Sequence, residues 1–274
     1  MTVTAVSSPA LPVPVRTPIL NTGVCGVKLE VKQWSGSAKY RMVYAKLQSA
    51  IAEGRVAAGT TLAEVTSGST GVALAYAGRH LGLSVELHAL ASISAAKRER
   101  IRAYGARLVL HPEGTPVSSL LDSVRDRAAR GLCWHLDQYD RRSLITAYED
   151  LGHELVGQLR EAGGVGPEAV ACPVGTGGLI QGVGTSLRKA FPGIRVLAVE
   201  PGRGVAIDGI RNTDEFHLGD GDPYDRSFPD EVLHVRRPDC PSFVQGVPLG
   251  ESASAVLEAL QSRPELKILV IAPD

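Results

Sequence analysis

The chain has 274 residues, 44% of them hydrophobic and 21% charged, with 29 basic and 29 acidic side chains. That length suits one large domain or two α/β lobes, and it buries a core without disulfides or metals. A formal net charge of zero leaves no electrostatic footprint for nucleic acid or an anionic membrane, and no apolar run approaches a membrane span.

In chain order, Met1 to Thr17 is rich in Ser, Pro, Val and Ala. It lacks the charged start and continuous apolar stretch of a signal peptide, so a cytoplasmic location is expected. Val27–Val31 reads as a strand, and a helix follows from about Ala38 to Glu53, with Val43, Leu47 and Ile51 on one face. Strands at 61–65, 85–90, 107–110 and 132–135 then alternate with helices at 69–81, 95–104 and 117–130. A longer amphipathic helix, 145–159, leads into a second series. It has strands at 169–174, 196–200, 232–235 and 268–271, helices at 180–191 and 252–261, and a Gly-, Asp- and Pro-rich loop over 203–230. Alternation of this kind implies parallel sheets with buried strands, and two series imply two lobes. A ligand is expected at the carboxyl ends of the strands. The four cysteines, Cys25, Cys133, Cys172 and Cys240, are widely spaced. They form no CxxC pair, so reduced and mostly buried thiols are expected, with no metal.

Three stretches carry chemistry. Val174-Gly175-Thr176-Gly177-Gly178-Leu179-Ile180 follows a strand and opens a helix. Small residues there leave backbone N–H groups at the positive end of a helix, where a phosphate is the natural guest. The spacing fits neither GxGxxG nor a P-loop, and a tight strand–helix turn explains it equally well. Glu64-Val65-Thr66-Ser67-Gly68-Ser69-Thr70-Gly71 is a second strand–loop–helix junction. It suits a carboxylate, or simple capping by Ser67 or Ser69. Ser35-Gly36-Ser37-Ala38-Lys39-Tyr40-Arg41 puts a lysine in the first turn of a helix, opposed to the helix dipole by about 0.3–1 kcal/mol. That placement suits an amine whose charge is removed chemically, as in a Schiff base, although a solvated surface lysine satisfies it too. His153-Glu154 lacks the second histidine of a zinc-protease motif, Gly157 standing in its place, and no GxSxG elbow occurs.

Taken together and in order, these stretches resemble the cysteine synthase and cystathionine β-synthase family of pyridoxal phosphate enzymes over nearly the whole chain. Thr17-Pro18-Ile19 resembles the entry strand, and Lys28-Leu29-Glu30 with Gly36 to Arg41 resembles the cofactor-lysine segment. Thr66 to Gly71 resembles the substrate-carboxylate loop, Gln138-Tyr139 a strand-end glutamine contacting the same carboxylate, and Gly175 to Gly178 the cofactor-phosphate loop. Tyr148-Glu149 with Gly152 and Glu154, and later Val199-Glu200-Pro201, follow at family spacing. The resemblance implies two parallel-sheet three-layer lobes with the cofactor between them. The larger lobe spans 1–42 and 143–274, and the smaller, mobile substrate-side lobe spans 43–142.

It also implies pyridoxal 5′-phosphate as cofactor, held by Lys39, Ser69, Gly175, Thr176, Gly177, Gly178, Leu179 and Ser252. Lys39 is the Schiff-base lysine and general base, and Ser252, in Gly250-Glu251-Ser252-Ala253, is the hydroxyl facing the ring nitrogen. Substrate contacts are expected from Thr66, Ser67, Gly68, Ser69, Thr70 and Gln138. They are also expected from Arg211, since Asp208 to Glu215 resembles the loop of synthases that use O-phosphoserine, although a surface arginine in a polar loop explains that residue equally well. Three positions depart from the pattern. Ser69 replaces an Asn, at a cost on the order of 1 kcal/mol for one lost hydrogen bond. Tyr40 replaces the Asp after the lysine, and Leu179 replaces a Thr, a change closer to threonine dehydratases and serine racemases. Relatives also continue beyond Ala272-Pro273-Asp274, which raises the expectation of a more open or specialised site.

The implied activity is β-elimination and β-replacement on an activated serine, O-phosphoserine or O-acetylserine, with a sulfur or amine nucleophile, in a homodimer. A serine or threonine dehydratase or racemase is the alternative within the cofactor class. A catalytically silent binding protein is the alternative outside it.

Overall fold

The structure, a computed structural model, describes residues 10–22, 25–164, 166–216, 218, 221–239, 242–261, 263 and 267–274. Cys240 and Met1 to Pro9 lie outside the described residues. The chain divides into two compact units. One comprises Val43–Asp137 with the described residues before Val15; the other comprises Val15–Met42 and Gln138–Asp274.

The second unit carries a six-stranded sheet. Its strands are β1 (Ile19–Asn21), β2 (Cys25–Leu29), β7 (Ala169–Pro173), β8 (Arg195–Pro201), β9 (Glu231–Val235) and β12 (Ile268–Ala272), ordered β1-β2-β12-β7-β8-β9. All neighbours are parallel except β1 and β2. Side chains alternate across a strand. Val27, Ala169, Ala171, Leu197, Val199, Val270 and Ala272 face a core built with α7 (Glu251–Leu260). Val170, Cys172, Val196, Ala198, Leu269 and Ile271 alternate to the other face and are buried as well. Burial on both faces explains why these strands read as continuous apolar runs. Helices α5 (Arg141–Glu161) and α6 (Gly178–Ala190) pack closely because glycines leave room. A Cβ on Gly182 would lie 2.6 Å from the Ile145 carbonyl oxygen.

The first unit holds a parallel four-stranded sheet, β5 (Arg107–His111), β4 (Val85–Leu90), β3 (Leu62–Val65) and β6 (Trp134–His135), in that order. Helices α2 (Ser69–Leu81), α3 (Ala95–Ala103) and α4 (Val117–Ala129) connect these strands.

Most sequence-read elements fall within a few residues of the observed ones, and four details differ. The buried face of α1 (Lys39–Ala52) is Tyr40, Val43, Leu47 and Ala50, at helical spacing, whereas Ile51 is exposed. Helix α5 begins four residues before Ile145, where the Asp140 side chain accepts from the Ser143 amide. A hairpin, β10 (Phe243–Val244) and β11 (Val247–Pro248), turns through Gln245 and Gly246, both at positive φ. That sequence lacks the Asn-Gly signal for such a turn. Of the three described cysteines, all free, only Cys172 is buried; Cys25 and Cys133 are half-buried. No helix among the described residues is long and apolar enough to cross a membrane.

The start of α1 is fixed by a buried ionic network within the second unit. Arg41 donates from Nε to Glu30 Oε2 at 2.7 Å, from Nη1 to Glu154 Oε2 at 3.0 Å and from Nη2 to the Val15 carbonyl at 3.0 Å. Lys28 pairs with Glu154 and also donates to the Thr17 carbonyl at 2.6 Å and Gln158 Oε1 at 2.8 Å. The Thr17 hydroxyl donates to Glu30 Oε1. Lys28 and Glu30 are fully buried and Arg41 nearly so. Removing one partner strands the others in low dielectric. Arg41→Met is therefore expected to lower unfolding free energy by about 3–5 kcal/mol, measured by urea titration. A loss within the range of exposed pairs, under ~1 kcal/mol, would refute the anchoring role.

Candidate active site

In the second unit, Lys39 is the first residue of α1 and half-buried. The segment before it is tied to the end of β12, because the Ala38 amide donates to the Pro273 carbonyl at 2.8 Å. At the same strand end the Asp274 carboxylate accepts from the Ser252 hydroxyl at 2.6 Å, and the Gly250 amide donates to the Asp274 main-chain oxygen at 3.0 Å. Ser252, in the first turn of α7, is buried.

The loop Gly175 to Gly178 leaves β7, the neighbour of β12 in the sheet, and enters α6. Gly177 is the N-cap with φ 84°, and no side chain caps the helix. A residue with a Cβ would be strained there and would meet Tyr224 at 2.6 Å. A Cβ at Gly175 would lie 2.8 Å from the Gly209 carbonyl, and one at Gly178 would collide with Leu144. Gly209 in turn lies beside Asp274 and Ser252. The structure thus gathers Lys39, Gly175 to Gly178, Leu179 in the same first turn of α6, and Ser252 onto the carboxyl ends of adjacent parallel strands. Ligands of open α/β sheets bind at such strand ends.

The residues present fit a phosphate-bearing aldehyde cofactor. The first-turn amides of an α-helix have no intrahelical acceptor, and here the N-cap, Gly177, has no side chain to take them. The Ser37 hydroxyl, two residues before Lys39, is buried without a hydrogen-bond partner, a polar atom suited to a bound group.

Arg211 is engaged within the protein. Its Nε donates to the Gly175 carbonyl at 2.7 Å, and Nη1 and Nη2 donate to Asp222 at 2.8 and 2.6 Å. Its amide donates to the Val174 carbonyl at 2.9 Å. The side chain is 11% exposed. Burial works against the Asp222 charge, yet the Arg211 bonds and the Tyr224 and Leu218 amides hold its carboxyl below the usual carboxylate range. Arg211 thereby links the Gly175 carbonyl to the Asp222 carboxylate. Asp222 precedes a proline, a turn signal in the sequence, and its side chain accepts the Tyr224 amide across Pro223.

In the first unit, the Thr66–Thr70 loop joins β3 to α2. Its N-cap is Gly68 at φ 143°, without a side-chain cap, so neither Ser67 nor Ser69 caps the helix. The Thr66 hydroxyl instead accepts from the amides of Gly68 and Gly71 at 2.9 and 3.0 Å. The Lys97 side chain packs over Gly68. Thr66 and Thr70 are buried, Ser69 is half-buried and Ser67 exposed. Gln138, at the edge of the second unit, is buried. Among the described residues no group of His, Cys, Asp or Glu is placed to hold a metal.

A family profile described as pyridoxal-phosphate dependent enzyme matches residues 6–262. The chain is 31% identical to a cysteine synthase of Staphylococcus aureus over 184 residues, 67% of this chain and 58% of that protein. The match thus spans less than two thirds of that relative's length. Cysteine synthase 3 of Caenorhabditis elegans is 31% identical over 262 residues, 88% of this chain and 75% of that one. Cysteine synthase B of Escherichia coli is 28% identical over 259 residues, 90% and 84% of the two chains. Among solved structures, O-ureido-L-serine synthase superposes with TM-score 0.82 at 26% identity, covering 94% of this chain and 89% of that one.

If the Arg211–Asp222 pair braces the phosphate loop, Arg211→Met should weaken affinity for pyridoxal phosphate about 10–100-fold, the scale of one or two charge-assisted bonds. An absorbance titration of the apoprotein measures this. In the wild type the same support is present above the ordinary Asp range and is lost as pH falls through the lowered Asp222 value. Arg211→Met should lack that acid limb. Unchanged affinity would remove the brace from the account.

Proposed function

Because this chain belongs to the pyridoxal-phosphate dependent enzyme family, and within it to the cysteine synthase-like members, we propose that it catalyses β-replacement on an activated serine. The leaving group is carried on the serine oxygen, and a sulfur or amine nucleophile takes its place. The observation that carries this reading is the convergence of Lys39, the Gly175–Gly178 loop and Ser252 on one set of strand ends.

When bound, the cofactor supplies an electron sink for charge developing at the substrate Cα. The chain's own groups divide the remaining work. The first-turn amides of α6 would hold the phosphate, and Lys39 Nζ would carry the cofactor and accept the proton of substrate Cα. Ser252 would face the ring nitrogen. The Thr66–Thr70 loop offers a helix N-terminus and hydroxyls to the substrate carboxylate, with Gln138 as a further donor. Ser69 and Leu179, shorter or less polar than the family pattern, tune the substrate and phosphate contacts.

The engagement of Arg211 with Asp222 and Gly175 favours a neutral leaving group, so O-acetylserine is preferred over O-phosphoserine. The relative named O-ureido-L-serine synthase supports a nucleophile other than sulfide as an equal candidate. The proposal places the enzyme in the cytoplasm as a homodimer acting on a small amino acid; the likeness to cysteine synthases supports this.

The test is product analysis of the holoprotein with O-acetylserine or O-phosphoserine, with and without sulfide. Formation of cysteine, faster from O-acetylserine, is expected, and Lys39→Ala should lower turnover at least ~10²–10⁴-fold. Keto acid formed equally well without any nucleophile would favour the dehydratase reading. Full turnover by Lys39→Ala would overturn the mechanism.

A further inference from the structure

Resting on the reading above that Ser252 faces the cofactor ring nitrogen, we propose that Asp274 is a positioning residue that acts through the Ser252 hydroxyl to hold that nitrogen in its protonated form. A hydroxyl has one proton and two lone pairs. Ser252 gives its proton to Asp274 Oδ1 at 2.6 Å, a charge-assisted bond at the short end of the usual range. Toward a ring nitrogen the same oxygen can then only accept, and only a protonated nitrogen can donate to it. A carboxylate one hydroxyl away also offsets the positive charge of the ring.

The surroundings keep the carboxylate in this position. Gly250 has no Cβ, and one there would lie 2.6 Å from Oδ1; at Gly209 one would lie 3.4 Å from Oδ2. The amide of Gly250 fixes the Asp274 main chain. Ser252 and Asp274 sit at the N-terminal end of α7, where negative charge is stabilised. The neighbouring acids are committed elsewhere. Glu251 accepts from the Asp208 amide at 3.1 Å and from Arg237 at 2.5 Å, and Asp208 feels the same Arg237. The Ala38 amide donates to the Pro273 carbonyl, which ties the residues just before Lys39 and Asp274 together.

A serine left free to donate would instead hold a neutral ring nitrogen, a weaker electron sink. Asp274 therefore sets how far charge from substrate Cα is drawn into the ring, and so bears on the choice between elimination and other fates of the same proton abstraction.

The experiment is 15N NMR of the holoprotein reconstituted with cofactor labelled at the ring nitrogen, with the visible absorbance of the same samples recording attachment at Lys39. The wild type should resonate at the pyridinium end of the range. Asp274→Asn should move the signal to the neutral-pyridine end, because the amide NH2 can donate to Ser252 Oγ and turn the serine proton toward the ring. Gly250→Ala, which displaces the carboxylate without removing it, should shift the signal in the same direction. A neutral-pyridine signal in the wild type, or a pyridinium signal in both variants, would overturn the proposal while leaving the Lys39 reading intact. Absence of a Lys39-bound cofactor in the wild type would bring down the underlying reading and this one with it. Loss of fold in Asp274→Asn leaves the wild-type signal and Gly250→Ala to decide.

Discussion

The placement of Lys39 depends on a charge cluster that a protein interior tolerates only when every member is matched. Glu30 and Lys28 are fully buried, and Arg41 and Glu154 close the set with Thr17 and Gln158. Burying these charges is costly, and mutual pairing with short hydrogen bonds is what makes it possible. Arg41 lies two residues beyond Lys39, so the network fixes the first turn of α1 in position. The Ala38 amide completes the placement by bonding to the end of β12. A lysine set against the helix dipole is thus held by groups that have no chemistry of their own.

The second constraint is space. The loop after β7 admits no Cβ at Gly175, Gly177 or Gly178 without collision with Gly209, Tyr224 or Leu144. Arg211 ties the loop to Asp222, and Asp222 is shaped by its own turn through Pro223. The stretch 203–230 carries no α-helix or strand between β8 and β9 among the described residues. It nevertheless supplies Arg211 and Asp222, which tie down the Gly175–Gly178 loop. One fold serves many chemistries. What distinguishes one such scaffold from another lies in side chains of this kind.

Period-two and period-3.6 patterning made the alternating α/β architecture legible, because parallel strands buried on both faces leave apolar runs such as Ala169 to Pro173 and Ile268 to Ala272. The strand–glycine–helix junction at Gly175 and the early-helix lysine were equally legible, since both depend on local spacing. Partnerships across the chain were not. The Ser252–Asp274 bond joins residues 22 apart, and the Arg41–Glu154 pair residues 113 apart. Nothing local marks either. The Arg211–Asp222 pair joins residues 11 apart within an irregular loop, and no spacing rule for helices or strands marks it. The Gln245–Gly246 hairpin was missed for the opposite reason, since it adopts a positive-φ turn with a residue that seldom signals one.

Borohydride reduction of the holoprotein followed by peptide mass mapping tests the central claim most directly. The account predicts that the reduced cofactor is found on the peptide carrying Lys39 and on no other. A reduced adduct on Lys28 or Lys97, or none on any lysine after reconstitution, would contradict it.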